Sequence, residues 1–461
     1  MTKFRNQLAV GLLTFFLSGC ELQNLTSTPS SLLDKFSITK SDKSSQSVPE
    51  NQEVSLEIIT DSSNATIDFE LGFKASVKAA VLSDPIVLQA KQSYQSQKFS
   101  ADVVKSQKEF QVYSTLYGGV EDVSDETAGL AIVLSASRML FDGGLLDNTI
   151  SAEQYAANAS MQNYLSKLEE RTLSALQSWV ELERYQELNS LIEARLIVLD
   201  PLIDKLEQVA SAGVGDVSQV AAAQRTVALI RVTQTDVQEK LKQAQIKFYS
   251  HYGTDPGQLN YRADLISKVI NQTSEEASVL KSPVIMGGYA AYQAALASLR
   301  SVEAKDNYTV SIESKIQRPF GGSGYDSDES VGLVVRRTLY DGDKLKNEID
   351  QAKSEVKVQL ELLRSNYKRA KSLLEASLQT VVSMDKAIEL ARQNAANAKE
   401  EIAYLRQQLI IGQSTLDSVL SAEARLYDNE SSELNFIANR RNAELIILAS
   451  RGVLATAFDI E

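Results

Sequence analysis

Few side chains in this sequence are of the types that catalyse reactions or hold metal ions. The chain of 461 residues contains one histidine, His251, and one cysteine, Cys20. A nucleophile needs a neighbouring base, and a metal site needs several ligands at fixed spacing. Glycine-rich phosphate loops, dinucleotide fingerprints and Cys/His clusters are absent from the sequence. We therefore expect no enzyme, no metal and no cofactor.

Two acidic pairs and the histidine are the remaining candidates for acid–base chemistry. Glu169-Glu170 and Glu400-Glu401 fall within helical apolar patterns, and we interpret both pairs as solvated helix faces. His251 lies beside tyrosines at the end of a predicted helix. We expect it to pack there or to contact the helix dipole.

The chemistry that the sequence does offer is acylation of Cys20. A basic start and a short apolar stretch, residues 8–17, precede Ser18-Gly19-Cys20. The stretch is too short for a bilayer, which takes about twenty residues, so it predicts an export signal. The small residues resemble a bacterial lipobox, which makes Cys20 the lipidated first residue of the mature chain. An ordinary signal peptide with an incidental cysteine is the alternative.

Composition limits the classes of partner. The formal net charge is −13 and no Lys/Arg-dense block is present, so nucleic-acid binding is not expected. The seven prolines and 21 glycines are few for this length, which favours long uninterrupted elements. Residues 20–66 are rich in Ser, Thr and charge, have little to bury, and are predicted to be a tether.

The sequence repeats itself at an offset of 199 residues. Phe141-Asp142-Gly143 recurs as Tyr340-Asp341-Gly342, and Gly213 recurs as Gly412. A nearly ungapped offset over so long a range indicates two copies of one structural unit. The predicted organisation is a signal peptide (1–19), the tether (20–66), repeat 1 (67–253), a linker (254–281), repeat 2 (282–453) and a C-terminal tail (454–461).

Each repeat is predicted to contain a helix, two strands, a very long helix and a second helix. Apolar residues recur at three- and four-residue spacing from Val356 to Leu409, the pattern of a coiled coil. A helix from Gly342 to Gly412 would be about 100 Å long. In the first repeat Asp200-Pro201 interrupts the pattern, and we expect a kink there.

Four segments alternate apolar and polar residues in the manner of a membrane strand with a wet lumen. The clearest is 308–317, and the others lie around 110–116, 130–135 and 331–336. Aromatic residues lie at their ends: Phe110, Phe141, Tyr308 and Tyr340 at one, Tyr117, Phe320 and Tyr325 at the other. One such strand alone would equally fit a half-buried soluble sheet. Because four strands cannot close a barrel, a membrane-spanning sheet requires several subunits.

This arrangement resembles the TolC-like outer-membrane efflux protein (outer membrane factor) family over about residues 70–453. The resemblance rests on the strand-to-helix motifs Phe141-Asp142-Gly143 and Tyr340-Asp341-Gly342, and on the segments that follow Gly213 and Gly412. It implies a mainly α fold with a transmembrane β-barrel portion, in which three copies share a 12-strand barrel on an α-helical tunnel. It also implies a periplasmic adaptor protein and an inner-membrane pump of the RND or ABC type as partners.

The resemblance places the candidate gate and the adaptor contacts at the turns between long helices. Members of the family often carry an aspartate there, and this chain has Gln219 and Ser418 instead, with Asp216 and Asp417 nearby. The two aspartates fit helix capping or solvation as well as gating. The candidate tip residues are Gly213, Asp216, Gln219, Gly412, Asp417 and Ser418.

Two functions remain open at this stage. The first is a passive exit channel for drugs or proteins, lipid-anchored in the outer membrane of a Gram-negative bacterium and extending into the periplasm. The second is a lipid-anchored periplasmic coiled-coil scaffold without a pore, which would become soluble once Cys20 is replaced.

Overall fold

The structure, a computed structural model, describes residues 72–119, 128–212, 217–254, 279–322 and 324–460. The predicted signal peptide, Cys20 and the tether lie outside these residues, as does most of the predicted linker.

The second half of the described chain repeats the element order of the first. The first half comprises helices α1 (Phe73–Leu82) and α2 (Pro85–Ser106), strands β1 (Gln111–Gly119) and β2 (Gly129–Phe141), and helices α3 (Leu145–Ser211) and α4 (Val217–Tyr252). The second comprises a 3-10 turn (Val279–Lys281), α5 (Pro283–Ala304), β3 (Thr309–Gly322), β4 (Asp328–Arg336), α6 (Lys344–Ile410), α7 (Leu416–Arg451) and the short α8 (Leu454–Ala457). Both α3 and α6 contain 67 residues, and both α4 and α7 contain 36. A mainly α fold with four strands is thereby confirmed.

Helix α3 continues through Pro201 as a single element, and the kink expected at Asp200-Pro201 stays a prediction. Proline removes one backbone hydrogen bond and crowds the preceding turn. Packing compensates for that loss, because Leu199 is buried in a cluster with Ala223 of α4 and Leu420 of α7.

Helix α5, which leads into β3, lies between α3 and α6. Two adjacent glycines allow this close approach. A Cβ at Gly287 would lie 3.2 Å from Gln162 Cβ of α3, and one at Gly288 would lie 3.2 Å from Leu363 Cδ1 of α6. Helices α3 and α6 thus fix the position of α5, and α5 in turn leads into β3.

The largest core cluster surrounds Trp179, halfway along α3. The rings of Phe73 and Phe248 contact it edge-on, at centroid distances of 4.9 and 5.1 Å. The predicted C-terminal tail belongs to this core, since Phe458 and Ile460 are 1% and 2% exposed. The end of the described chain is therefore a structural component of the core.

Glu169 is buried, so its interpretation as a solvated residue is wrong. Its carboxylate accepts hydrogen bonds from the backbone N–H groups of Leu454 (3.0 Å) and Ala455 (3.2 Å), which ties α8 to α3. Burial raises the pKa of Glu169 to about 7, although the two hydrogen bonds oppose that rise. Its neighbour Glu170 is exposed, as expected, and pairs with Lys167.

The raised pKa of Glu169 predicts a specific pH dependence of stability. The folded protein binds this proton more tightly than the unfolded chain, whose glutamate has a pKa near 4.5. The resulting stabilisation is complete below about pH 4.5 and is lost as the pH rises through about 7. We expect Glu169→Gln to flatten the decline of the melting temperature over this range, measured by circular dichroism.

The matched control is Glu170→Gln, whose carboxylate is exposed to solvent. It should keep the wild-type pH profile. An unchanged profile in Glu169→Gln would contradict the assignment of the titration to this carboxylate.

Candidate functional site

The four strands form one antiparallel sheet in the order β1-β2-β3-β4. The registers bring the apolar positions of all four strands to one side, which we call the apolar face. It contains Val112, Leu116, Leu130, Ile132, Leu134, Val310, Ile312, Ile316, Val331, Leu333 and Val335. Leu333 is 67% exposed and Val331 75%. A contiguous exposed surface of this kind indicates contact with something other than water.

Charged and aromatic side chains lie at both ends of the apolar face. At the loop end Arg318 pairs with Glu329. At the helix end the Arg138 guanidinium lies 5.4 Å from the centre of the Phe110 ring, and the Phe141 and Tyr308 rings are 5.1 Å apart. Transmembrane barrel strands carry such residues where the bilayer meets water.

The opposite side of the sheet, which we call the polar face, carries mainly small, charged and tyrosine side chains, with a few apolar ones such as Val133 and Val334. Two ion pairs cross from β3 to β4 on it: Glu313 with Arg336 at 2.7 Å, and Lys315 with Asp328 at 3.5 Å. Small residues of β2, such as Ala131 and Ser135, lie on the same side. The predicted alternation is therefore present, with one face suited to lipid and the other to water.

The sheet has two unpaired edges within the described structure, because β1 pairs only with β2 and β4 only with β3. Backbone groups at such edges can bind water but find no partner in lipid. The strands alternate in direction, so β4 of one copy would run antiparallel to β1 of the next. Several copies can therefore form one closed antiparallel sheet.

In the described part of the chain, no helix combines the length and the apolar composition needed to cross a membrane.

The aspartates of the two strand-to-helix motifs bind the first amides of the long helices. Asp142 accepts hydrogen bonds from the N–H groups of Gly144 (2.9 Å) and Leu146 (2.7 Å). Asp341 accepts one from Leu345 N–H at 2.8 Å. Each carboxylate thus satisfies amides that the start of a long helix leaves unpaired.

Glycine is required in these turns. Gly143 and Gly342 both have φ of +68°, a conformation that other residues rarely adopt. A Cβ on Gly143 would lie 2.4 Å from Asn307 Cβ at the end of α5. The motif therefore fixes the direction of the long helix relative to the sheet. The aromatic Phe141 and Tyr340 that open the two motifs are exposed.

The turn between α6 and α7 is described completely. Gly412 has φ of +75°, and Gln413 N–H donates to Gln408 O at 2.8 Å, which closes the end of α6. The Thr415 hydroxyl accepts from Ser418 N–H at 3.2 Å and caps α7. Capping by Asp417 is therefore wrong. Asp417 lies in the first turn of α7, half-buried and without an ion pair among the described residues.

The corresponding turn of the first repeat is described only in part. Gly213 and Asp216 lie outside the described residues, and Gln219 lies in the first turn of α4. The structure therefore shows the candidate gate only at the α6–α7 turn and in the helices next to it.

A network of ion pairs lies behind this turn and joins the two repeats. Arg195 of α3 binds both Glu423 (3.3 Å) and Glu430 of α7. Arg406 of α6 binds Glu423 at 2.7 Å, and Lys399 binds Glu430 at 2.9 Å. Burial disfavours the charge on Glu430, but the hydrogen bonds from Arg195 and Lys399 leave its pKa lowered.

This network was not predicted from the sequence. Glu423 and Glu430 are seven residues apart and lie on one side of α7, which is a visible signal for an acidic stripe. Its partner Arg195 lies 228 residues away in sequence from Glu423, and only the register between α3 and α7 brings them together.

Known outer-membrane proteins are similar to this chain in sequence and in fold. Residues 281–452 match the family model described as outer membrane efflux protein. No curated protein sequence matches the chain.

Solved outer-membrane proteins share the fold at low sequence identity. The outer membrane protein VceC of Vibrio cholerae is 15% identical with a TM-score of 0.72, over 82% of this chain and 96% of that one. CusC, a protein whose folding is accompanied by transmembrane channel formation, is 15% identical with a TM-score of 0.73. The match covers 87% of this chain and 98% of CusC. The CmeC channel of Campylobacter jejuni is 11% identical with a TM-score of 0.70, over 94% and 95%.

The second repeat is thus similar in sequence to outer membrane efflux proteins, and the described chain shares the fold of solved outer-membrane channels.

Proposed function

We propose that this protein is the passive exit channel of a tripartite efflux or type I secretion system in the outer membrane. The observation that carries the proposal is the exposed apolar face of a sheet whose two edges are unpaired. Joined to this sheet are helices of 67 residues, about 100 Å long, which suit a tunnel through the periplasm. Cargo enters from an energised partner, since the chain itself carries no motif for an energy source.

The proposed assembly is a trimer in which each copy contributes four strands to one 12-strand barrel. The number three comes from the family resemblance, whereas the need for several copies comes from the open sheet edges. Exposed apolar residues on the long helices support lateral packing against a second copy. They include Val382, Leu390 and Tyr404 of α6, and Leu229, Val232 and Ile246 of α4.

The helix turns farthest from the sheet are the proposed contact for a periplasmic adaptor, which in turn binds an inner-membrane pump of the RND or ABC type. Acylation of Cys20 would add an anchor in the outer membrane lipid. The tip residues Asp216, Gln219, Asp417 and Ser418 would then lie at the periplasmic entrance of the tunnel.

The ion-pair network around Arg195 is the proposed brace of the closed entrance. Arg195 is the member of the network that belongs to α3, while its partners belong to the α6–α7 pair. Movement of one helix pair relative to the other would therefore have to break the bonds of Arg195. Glu423 and Glu430 would still be paired, with Arg406 and Lys399.

The scaffold alternative accounts for the long helices but not for the sheet. A soluble scaffold would expose the apolar face to water, which soluble proteins avoid on this scale. It also offers no reason for the matched alternation across four strands.

Reconstitution into planar bilayers tests the proposed function directly. We expect discrete conductance steps from the folded oligomer, because a closed barrel of this size encloses an aqueous lumen. Repeated absence of conductance from correctly folded oligomers would refute the channel. Extraction of the Cys20→Ser protein without detergent would support the scaffold instead.

The two faces of the sheet predict opposite effects of a charge at adjacent positions of β4. We expect Leu333→Lys, on the apolar face, to impair insertion, since a lysine facing lipid costs about 2–4 kcal/mol near the bilayer centre. The matched control is Val334→Lys on the polar face, which should insert normally. The measurement is the yield of heat-modifiable oligomer in outer-membrane fractions. Equal yields from the two variants would contradict the assignment of the faces.

If the Arg195 network holds the entrance closed, removal of Arg195 should make the channel open more often. We expect Arg195→Ala to raise the open probability in planar bilayers about ten-fold or more, since hydrogen bonds between charged groups contribute about 1.5–3 kcal/mol. The control is Arg425→Ala, which removes an exposed pair with Glu401 between α7 and α6 only. If both variants gate like the wild type, Arg195 does not hold the entrance closed.

A further inference from the structure

Near the core cluster of α3, each repeat brings the end of one helix close to the start of another. In the first repeat, α4 ends at His251-Tyr252 and α2 begins after Asp84. Arg171 of α3 binds Asp84 at 2.6 Å, and the Ser174 hydroxyl lies 3.1 Å from His251 Nε2. Polar groups of the chain itself therefore satisfy one another at the first junction.

The second junction has the same backbone arrangement and different side chains. The helices recur at offsets of 198 residues (α2 and α5) or 199 residues (α3 and α6, α4 and α7). At these offsets the second repeat has Ser282 in place of Asp84, Ala370 in place of Arg171, Leu373 in place of Ser174 and Ser450 in place of His251. The ion pair is thus replaced by smaller groups that cannot pair in the same way.

A cavity of ≈ 320 Å³ occupies the second junction. Ser282 and Ser450 line it, and Ser282 is only 3% exposed. Neither hydroxyl has a hydrogen-bond partner within the described ranges of the chain. A buried hydroxyl without a partner costs free energy, so its presence beside an open space points to a ligand that supplies the bond.

Two helix ends beside the cavity are closely packed. Gly452 closes α7 with φ of +70°, and a Cβ there would lie 2.4 Å from Pro283 Cδ at the start of α5. The contact therefore requires glycine and fixes the two helix ends against each other. A volume of this size falls near the lower end for small-molecule sites, about 300–1,000 Å³.

Among the polar groups that line the cavity, Arg369 can only donate hydrogen bonds, whereas the serine hydroxyls and the Asn366 amide can donate or accept. Glu169 already accepts two backbone N–H groups, and Glu170 pairs with Lys167. Arg369 lines the cavity and forms no ion pair with any residue that the structure describes. The start of α5 and the end of α7 both lie there, so their dipoles oppose each other. The charge preference therefore rests on Arg369.

We propose that this cavity binds a small amphipathic organic anion. Its carboxylate-type group would bind Arg369 and the hydroxyls of Ser282 and Ser450. Its apolar part would lie against the aliphatic side chains of the lining, among them Leu173, Leu373 and Ile446. The site belongs to one subunit and does not depend on the channel function.

Binding of decanoate to the full-length protein in lipid nanodiscs tests the proposal, with empty nanodiscs subtracted. We expect saturable binding to the wild type and binding of the uncharged decanol at least ten-fold weaker. Arg369→Gln, at an exposed position, should weaken decanoate binding at least ten-fold. The matched control Lys371→Gln, which removes an exposed pair with Glu375, should bind like the wild type.

The first junction supplies a second test. Ser282→Asp combined with Ala370→Arg would install the ion pair of the first repeat in the cavity, and should abolish binding without lowering the melting temperature. Absence of saturable binding to the wild type, or equal binding by Arg369→Gln, would overturn the proposal. A crystal structure grown with decanoate whose cavity holds only water or a side chain of a neighbouring subunit would do the same.

Discussion

A backbone amide or carbonyl group in lipid has no solvent to bind, so every such group needs a partner within the protein. In the proposed channel the requirement falls on the outer edges of β1 and β4, which have no strand beside them in the part of one subunit that the structure describes. An even number of alternating strands lets copies join edge to edge in the correct direction. For the proposed channel, the need for several copies thus follows from the hydrogen bonding of two strands.

The long helices depend on the same sheet through short connections. Asp142 and Asp341 satisfy the first amides of α3 and α6, and Gly143 permits the contact with Asn307 that sets the helix direction. The Asp-Gly turn recurs in both repeats, although β2 continues up to it at Phe141 and β4 ends earlier, at Arg336. Each long helix thus begins shortly after a strand. Any closed ring of strands therefore imposes a ring of helices beneath it.

The sequence predicted the elements well because their signals are local and periodic. The alternation in 308–317 and the spacing from Val356 to Leu409 each depend on one element alone. Glu169 was misjudged because its environment comes from elsewhere in the chain: its carboxylate binds the first amides of α8. The Arg195 network and the junction cavity depend on the register between helices, which no single-helix pattern contains.

The position of residues 458–460 has a consequence for how the core folds. Phe458 and Ile460 belong to the same core as Phe73 of the first described helix. The core therefore joins residues that are far apart in the sequence. Contacts of such long sequence separation form slowly, because the entropy of closing the intervening loop must be overcome first.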